Sequence, residues 1–173
     1  TRSSIGDGYN LITHQGNEVF VASWNNSAFG IKRFDFLTGL STGPDIATPF
    51  QPQEIGFGPD GSLYAGANYA NPGGGAYKYN SGTGTWNLWA DTTILGANGP
   101  HGFAWDPNNL NNFYTAMPGG QIYRFDGSSG AFLGQVGYVP AKLTDLLFTV
   151  QIPAPSAIAL LGVGGLMASR RRR

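Results

Sequence analysis

Gly56-Phe57-Gly58-Pro59-Asp60-Gly61-Ser62-Leu63-Tyr64-Ala65-Gly66, followed by Ala76-Tyr77-Lys78-Tyr79-Asn80 and then Thr83-Gly84, is the stretch whose reading decides the fold. Short alternations of apolar and polar residues are separated by clusters of Gly, Pro, Asp and Asn. A period of two with such punctuation reads as strands joined by turns. In Pro59-Asp60-Gly61 the proline holds φ fixed and the glycine leaves it free, which suits a tight reversal. The pattern predicts strands near 54–58, 62–67, 75–80 and 85–90.

The layout recurs on both sides of this stretch. Upstream it reads Glu18-Val19-Phe20-Val21-Ala22, Ile31-Lys32-Arg33-Phe34-Asp35 and Thr38-Gly39. Downstream it reads Asn112-Phe113-Tyr114-Thr115-Ala116, Ile122-Tyr123-Arg124-Phe125-Asp126 and Ser129-Gly130. An aromatic residue before Asp or Asn recurs at 34, 79 and 125, and a glycine at 39, 84 and 130; both series step by 45 and then 46. Four strands repeated about every 40–50 residues is the pattern of a propeller blade, which buries its faces only by stacking on neighbours. A single β-sandwich with accidental repetition is the alternative, and the matched spacing argues against it.

The expectation is therefore an all-β chain: a partial β-propeller of about three four-stranded blades, followed by a C-terminal apolar helix. The repeats occupy 1–136, with units near 9–48, 50–96 and 99–136; 137–151 is a linker or last strand, and 152–173 a separate tail. Three units fall short of the typical 4–8 blades of a closed ring. Together with a start at Thr1 rather than Met, this reads as the C-terminal part of a larger propeller. A ring of several partial arcs is the other way to complete it.

Composition narrows the function classes. Formal net charge is zero, but four of the ten basic residues are Arg170, Arg171, Arg172 and Arg173, which leaves the body acidic. An acidic body argues against nucleic-acid binding, which needs cations to displace counterions from phosphate. Cysteine is absent, so disulfides, thiol catalysis and Cys-ligated metal sites are excluded. There are two His, His14 and His101, and two Glu, Glu18 and Glu54, with no Gly-x-Ser-x-Gly elbow and no His-Glu-x-x-His. Asn25-Asn26-Ser27 matches a glycosylation sequon, a tripeptide that Asn-rich turns generate by chance.

The repeats resemble NHL-type propellers, a group loosely related to streptogramin lyase and the gluconolactonases. The similarity rests on Gly56–Ala65, Tyr77-Lys78-Tyr79-Asn80 and Thr83-Gly84, and covers roughly residues 9–136. It implies the fold more than any chemistry, because propellers host lyases, lactonases and binding scaffolds alike. In the enzymes of this group one mouth of the channel carries the metal or general-base groups. Glu54 and His101, at the starts of equivalent innermost strands, are the corresponding candidates for proton transfer or for holding a divalent cation. For His101, in Gly99-Pro100-His101-Gly102, a hydrogen bond to loop backbone is the competing role. No cofactor is expected outside that enzymatic alternative.

The tail has three parts: Pro153-Ala154-Pro155, an apolar stretch from Ala157 to Ser169, and Arg170–Arg173. As a helix the 13-residue apolar stretch would be about 20 Å long, short of the roughly 30 Å hydrocarbon core of a bilayer. Snorkelling arginines and the uncharged flanks allow transient insertion, with the arginine block on the cytoplasmic side. This order resembles the PEP-CTERM sorting signal of Gram-negative and related bacteria, with Ala154 where that family has Glu. The resemblance implies an exported protein held briefly in the inner membrane, cut by an exosortase-like processing enzyme near Pro153–Pro155, and released to the cell surface or extracellular matrix. The expected role there is binding or structural, toward a surface polysaccharide or protein. Trp24, Tyr69, Trp86 and Trp89 are the aromatic candidates for stacking on sugars.

Overall fold

The structure, a computed structural model, describes residues 11–25, 28–67, 74–95 and 99–148. These form three four-stranded antiparallel sheets, each a meander of consecutive strands. The first contains β1 (Ile12–Gln15), β2 (Glu18–Asn25), β3 (Ala28–Asp35) and β4 (Ile46–Ala47). The second contains β5 (Pro52–Phe57), β6 (Leu63–Ala67), β7 (Gly75–Asn80) and β8 (Thr85–Asp91), close to the strand limits expected from the sequence. The third contains β9 (Gly102–Asp106), β10 (Asn109–Ala116), β11 (Gln121–Asp126) and β12 (Phe132–Tyr138). Among the described residues the one helical element is a 3-10 turn at Thr93–Leu95, and no helix is long and apolar enough to cross a membrane. The apolar tail lies outside the described residues.

Register makes the three sheets equivalent. Val19 faces Phe34 across β2 and β3, and Phe113 faces Phe125 across β10 and β11. One position further, Phe20 faces Arg33, Tyr64 faces Lys78 and Tyr114 faces Arg124. Side chains alternate along a strand, so each sheet has two chemically distinct faces. The aromatic-and-cation face of one sheet meets the aliphatic-and-aromatic face of the next. Between the first and second sheets Phe20, Ala22, Ile31 and Phe50 pack on Leu63, Ala65, Ala67 and Tyr77. Between the second and third, Tyr64, Ala76 and Ala90 pack on Phe103, Phe113, Tyr123 and Phe125.

Aromatic contacts hold both interfaces. Phe20 meets Phe57 edge-on with ring centres 5.0 Å apart, and Tyr64 meets Trp105 edge-on at 4.8 Å. Each such pair adds about 0.5–1.5 kcal/mol beyond its buried area. Trp86 lies against Phe50 and Tyr79, and its indole N–H donates to the Ala47 carbonyl at 2.9 Å, tying β8 to β4 of the preceding sheet. Trp89 is enclosed by Tyr64, Trp105 and Phe113. These two tryptophans, read as candidates for sugar stacking, spend their rings on packing between sheets. The Tyr69 position and the Trp24 side chain lie outside the described residues.

The recurring Asp/Asn-to-Gly segment is one turn built three times. The backbone N–H of Gly39, Gly84 and Gly130 donates to the carbonyl of Asp35, Asn80 and Asp126, each at 2.8 Å. Each glycine takes a positive φ, 66, 70 and 73°. The side-chain oxygen of the first residue accepts the backbone N–H groups two and three residues on in all three turns. With four donors on its Oδ1, the Asp126 carboxyl is held at about 2, chiefly by the Ser128 and Ser129 hydroxyls.

Candidate functional site

The first strands of the sheets, β1, β5 and β9, lie nearest one another across the sheet boundaries. Glu54 and His101 both sit where such strands begin. Glu54 on β5 is paired with Gly66, whereas on β9 it is Gly102 that pairs with the equivalent Ala116. His101 therefore precedes the register position of Glu54 by one residue, and its own N–H donates to the Ala116 carbonyl at 3.0 Å.

A segment beyond the repeats closes over both residues. After β12 the chain runs through 139–148 without a strand and lies against β9. At Gly102 a Cβ would sit 2.5 Å from the Asp145 carbonyl carbon and the Leu146 nitrogen, so only glycine lets this backbone lie flush. Phe148 then reaches Tyr114, with ring centres 5.4 Å apart.

Electrostatics follow from that closure. Burial raises the Glu54 carboxyl to about 8, and the nearby Asp145 carboxyl adds to the rise. The Ile55 N–H, 3.0 Å from Glu54 Oε1, opposes it. His101 is 8% exposed, and burial, with the Lys142 charge second, lowers its pKa against a backbone hydrogen bond with Leu143. Its Nε2 is buried and has no hydrogen-bond partner among the described residues. The arrangement thus offers a protonated carboxyl and a neutral imidazole at neutral pH. Among the described residues no three His, Cys, Asp or Glu side chains converge as metal donors, so the donor set does not fit a divalent cation.

Sequence reasoning singled out Glu54 and His101 and missed Asp145 and Lys142, which lie outside the repeat and carry no motif. Pro153, Ala154, Pro155 and Arg170–Arg173 fall outside the described residues, as do Asn26 and Ser27 of the sequon.

No family model and no curated protein matches the chain. Among solved structures it resembles the computationally designed Ika4 protein, with 17% identity and a TM-score of 0.59 over 87% of this chain and 85% of that one. It also resembles the designed Ika8 protein, at 18% identity and TM-score 0.53. A third likeness, at 13% identity and TM-score 0.51, is to a structural genomics protein of unknown function from Bacteroides thetaiotaomicron VPI-5482. The chain spans 40% and 33% of the length of these last two. The shared property is the fold.

Proposed function

We propose that this chain is part of an exported β-propeller protein of the cell surface or extracellular matrix, with a binding or structural role. On this reading the three sheets are consecutive blades with NHL-type repeats in an arc that further blades complete. Residues 152–173 are a sorting signal: the prolines keep an extended segment open to an exosortase-like enzyme, the short apolar run partitions into the inner membrane, and Arg170–Arg173 stop passage. The observation that carries the binding role is the closure of the strand starts by 139–148, which sets the Asp145 carboxyl against Glu54 and the Leu143 backbone against His101. Intact-mass analysis of the surface form in a host with matching machinery tests the signal. The mature protein is expected to lack Arg170–Arg173 and most of the apolar run. A surface form retaining the whole arginine block refutes sorting by cleavage.

A second reading, a lyase or lactonase, is favoured by one observation: two neighbouring strand starts carry a carboxyl that keeps its proton near neutrality and an imidazole whose Nε2 has no partner among the described residues. It requires an activity that Glu54→Gln and His101→Ala each abolish.

A further inference from the structure

Two clefts outside the strand-start site repeat with the sheets. The first, about 270 Å³, lies between the β1–β2 hairpin and the second sheet. Glu18 and Arg33 form a two-pronged ion pair there, at 2.7 and 3.0 Å, with Gln15, Ser62 and Tyr79 around it. The second, about 390 Å³, lies one sheet further on. Its ion pair is Lys78 on Asp60 at 2.6 Å, and its far wall is Leu110, Asn111 and Ser128 of the third sheet. Arg33 and Lys78 hold equivalent register positions, and each lies over the ring opposite it, Phe20 at 5.7 Å and Tyr64 at 5.8 Å. Repetition at both boundaries makes the clefts a property of the stacking.

Their chemistry selects a ligand class. Each cleft holds one carboxylate and one cation already paired, so it has no net charge to attract an anion or a metal ion. Donor and acceptor capacity nevertheless remains. The Lys78 ammonium has three N–H donors and turns them to Asp60 and the Tyr64 hydroxyl, while the Asn111 side chain, exposed, offers both a donor and an acceptor. Pro59 and Leu110, the latter 51% exposed, supply an apolar wall beside these polar groups. Paired charges, hydroxyls and amides next to a small apolar surface match a neutral pyranose, whose hydroxyls donate and accept while its C–H face packs. The ion pairs are half-open to solvent, with side-chain exposures of 31 and 24% for Arg33 and Glu18 and 39 and 41% for Lys78 and Asp60.

We infer that the inter-sheet clefts at Glu18–Arg33 and Asp60–Lys78 are sugar-binding subsites for a neutral glycan. The inference deepens the binding reading above and rests on it for the choice of a glycan. Two subsites one sheet apart would engage successive parts of one polymer, so a weak single-site affinity gains by effective concentration.

The test is an amide chemical-shift titration of the whole chain with cellotriose, maltotriose and mannotriose, with galacturonate trimer as the anionic comparator. Saturable shifts are expected at Gln15 and Ser62 for one cleft and at Lys78, Asn111 and Ser128 for the other. Filling one cleft by Ser128→Trp should weaken its binding by about tenfold or more and spare the other cleft; Gln15→Trp should do the converse. Lys78→Gln, which removes a charge without adding bulk, guards against misfolding of the larger variants. Saturable binding that none of these variants weakens overturns the cleft assignment and leaves the binding role standing. Tighter binding of the galacturonate trimer overturns the neutral-ligand assignment. No saturable shift with any sugar overturns both the clefts and the glycan-binding role.

Discussion

Glu54 illustrates how one residue's surroundings set its chemistry. Its ordinary value is 4.5, and in the fold it titrates at about 8, because burial and the facing Asp145 penalise the anion more than the Ile55 N–H rewards it. Between these values the folded chain holds a proton that the unfolded chain has released, so its contribution to stability is full below about 4.5 and falls as pH rises toward 8. His101 acts in the opposite sense: its lowered value means stability is lost as pH falls below its ordinary 6.5. Denaturant unfolding of the wild type and of Glu54→Gln between pH 5.5 and 8.5 separates the two. The wild type is expected to lose on the order of 1–3 kcal/mol relative to the variant as pH rises, allowing for solvent screening. A difference that stays constant with pH would contradict the half-buried, proton-holding carboxyl.

At the level of elements, the repeated turn was legible in the sequence because its requirements are local. A side-chain acceptor must be followed four residues later by a residue tolerant of positive φ, and Asp35, Asn80 and Asp126 with their glycines meet both conditions. Its surroundings were not legible, since they come from the neighbouring sheet. At Gly84 a Cβ would meet nothing nearer than the Tyr79 hydroxyl at 4.0 Å, whereas at Gly130 it would overlap the Trp89 carbonyl. Gly84→Ala should therefore cost about 1 kcal/mol from backbone strain alone. Gly130→Ala should cost about 2–4 kcal/mol, strain plus the displacement of β8. Paired melting curves decide it, and equal losses would mean that the turn of the third sheet does not press on Trp89. The same distinction explains Trp86 and Trp89. Aromatic character reads off the sequence, but whether a ring meets water or the next sheet depends on stacking. The one-residue offset between Glu54 and His101 was likewise invisible, because it is set by which residues pair across the strands rather than by residue type.

For the whole molecule, period and spacing predicted three like units, and the sheets follow them in order. What the repeat could not supply was anything outside it: the 139–148 closure, and the clefts that exist only where two sheets meet. The ion pairs in those clefts had a signal in retrospect, a carboxylate and a cation within one unit: Glu18 and Arg33 on neighbouring strands, and Asp60 in the β5–β6 turn with Lys78 on β7. Site, clefts and interfaces all depend on sheets stacked in series, the first on the second and the second on the third, each by its own set of rings. An aromatic NOESY spectrum of the chain tests that stacking most directly. The account predicts cross-peaks between the Phe20 and Phe57 rings and between the Tyr64 and Trp105 rings, in two separate networks. A single network joining Phe20 directly to Trp105 and Phe113 would contradict it, because that is the core of two sheets closed face to face.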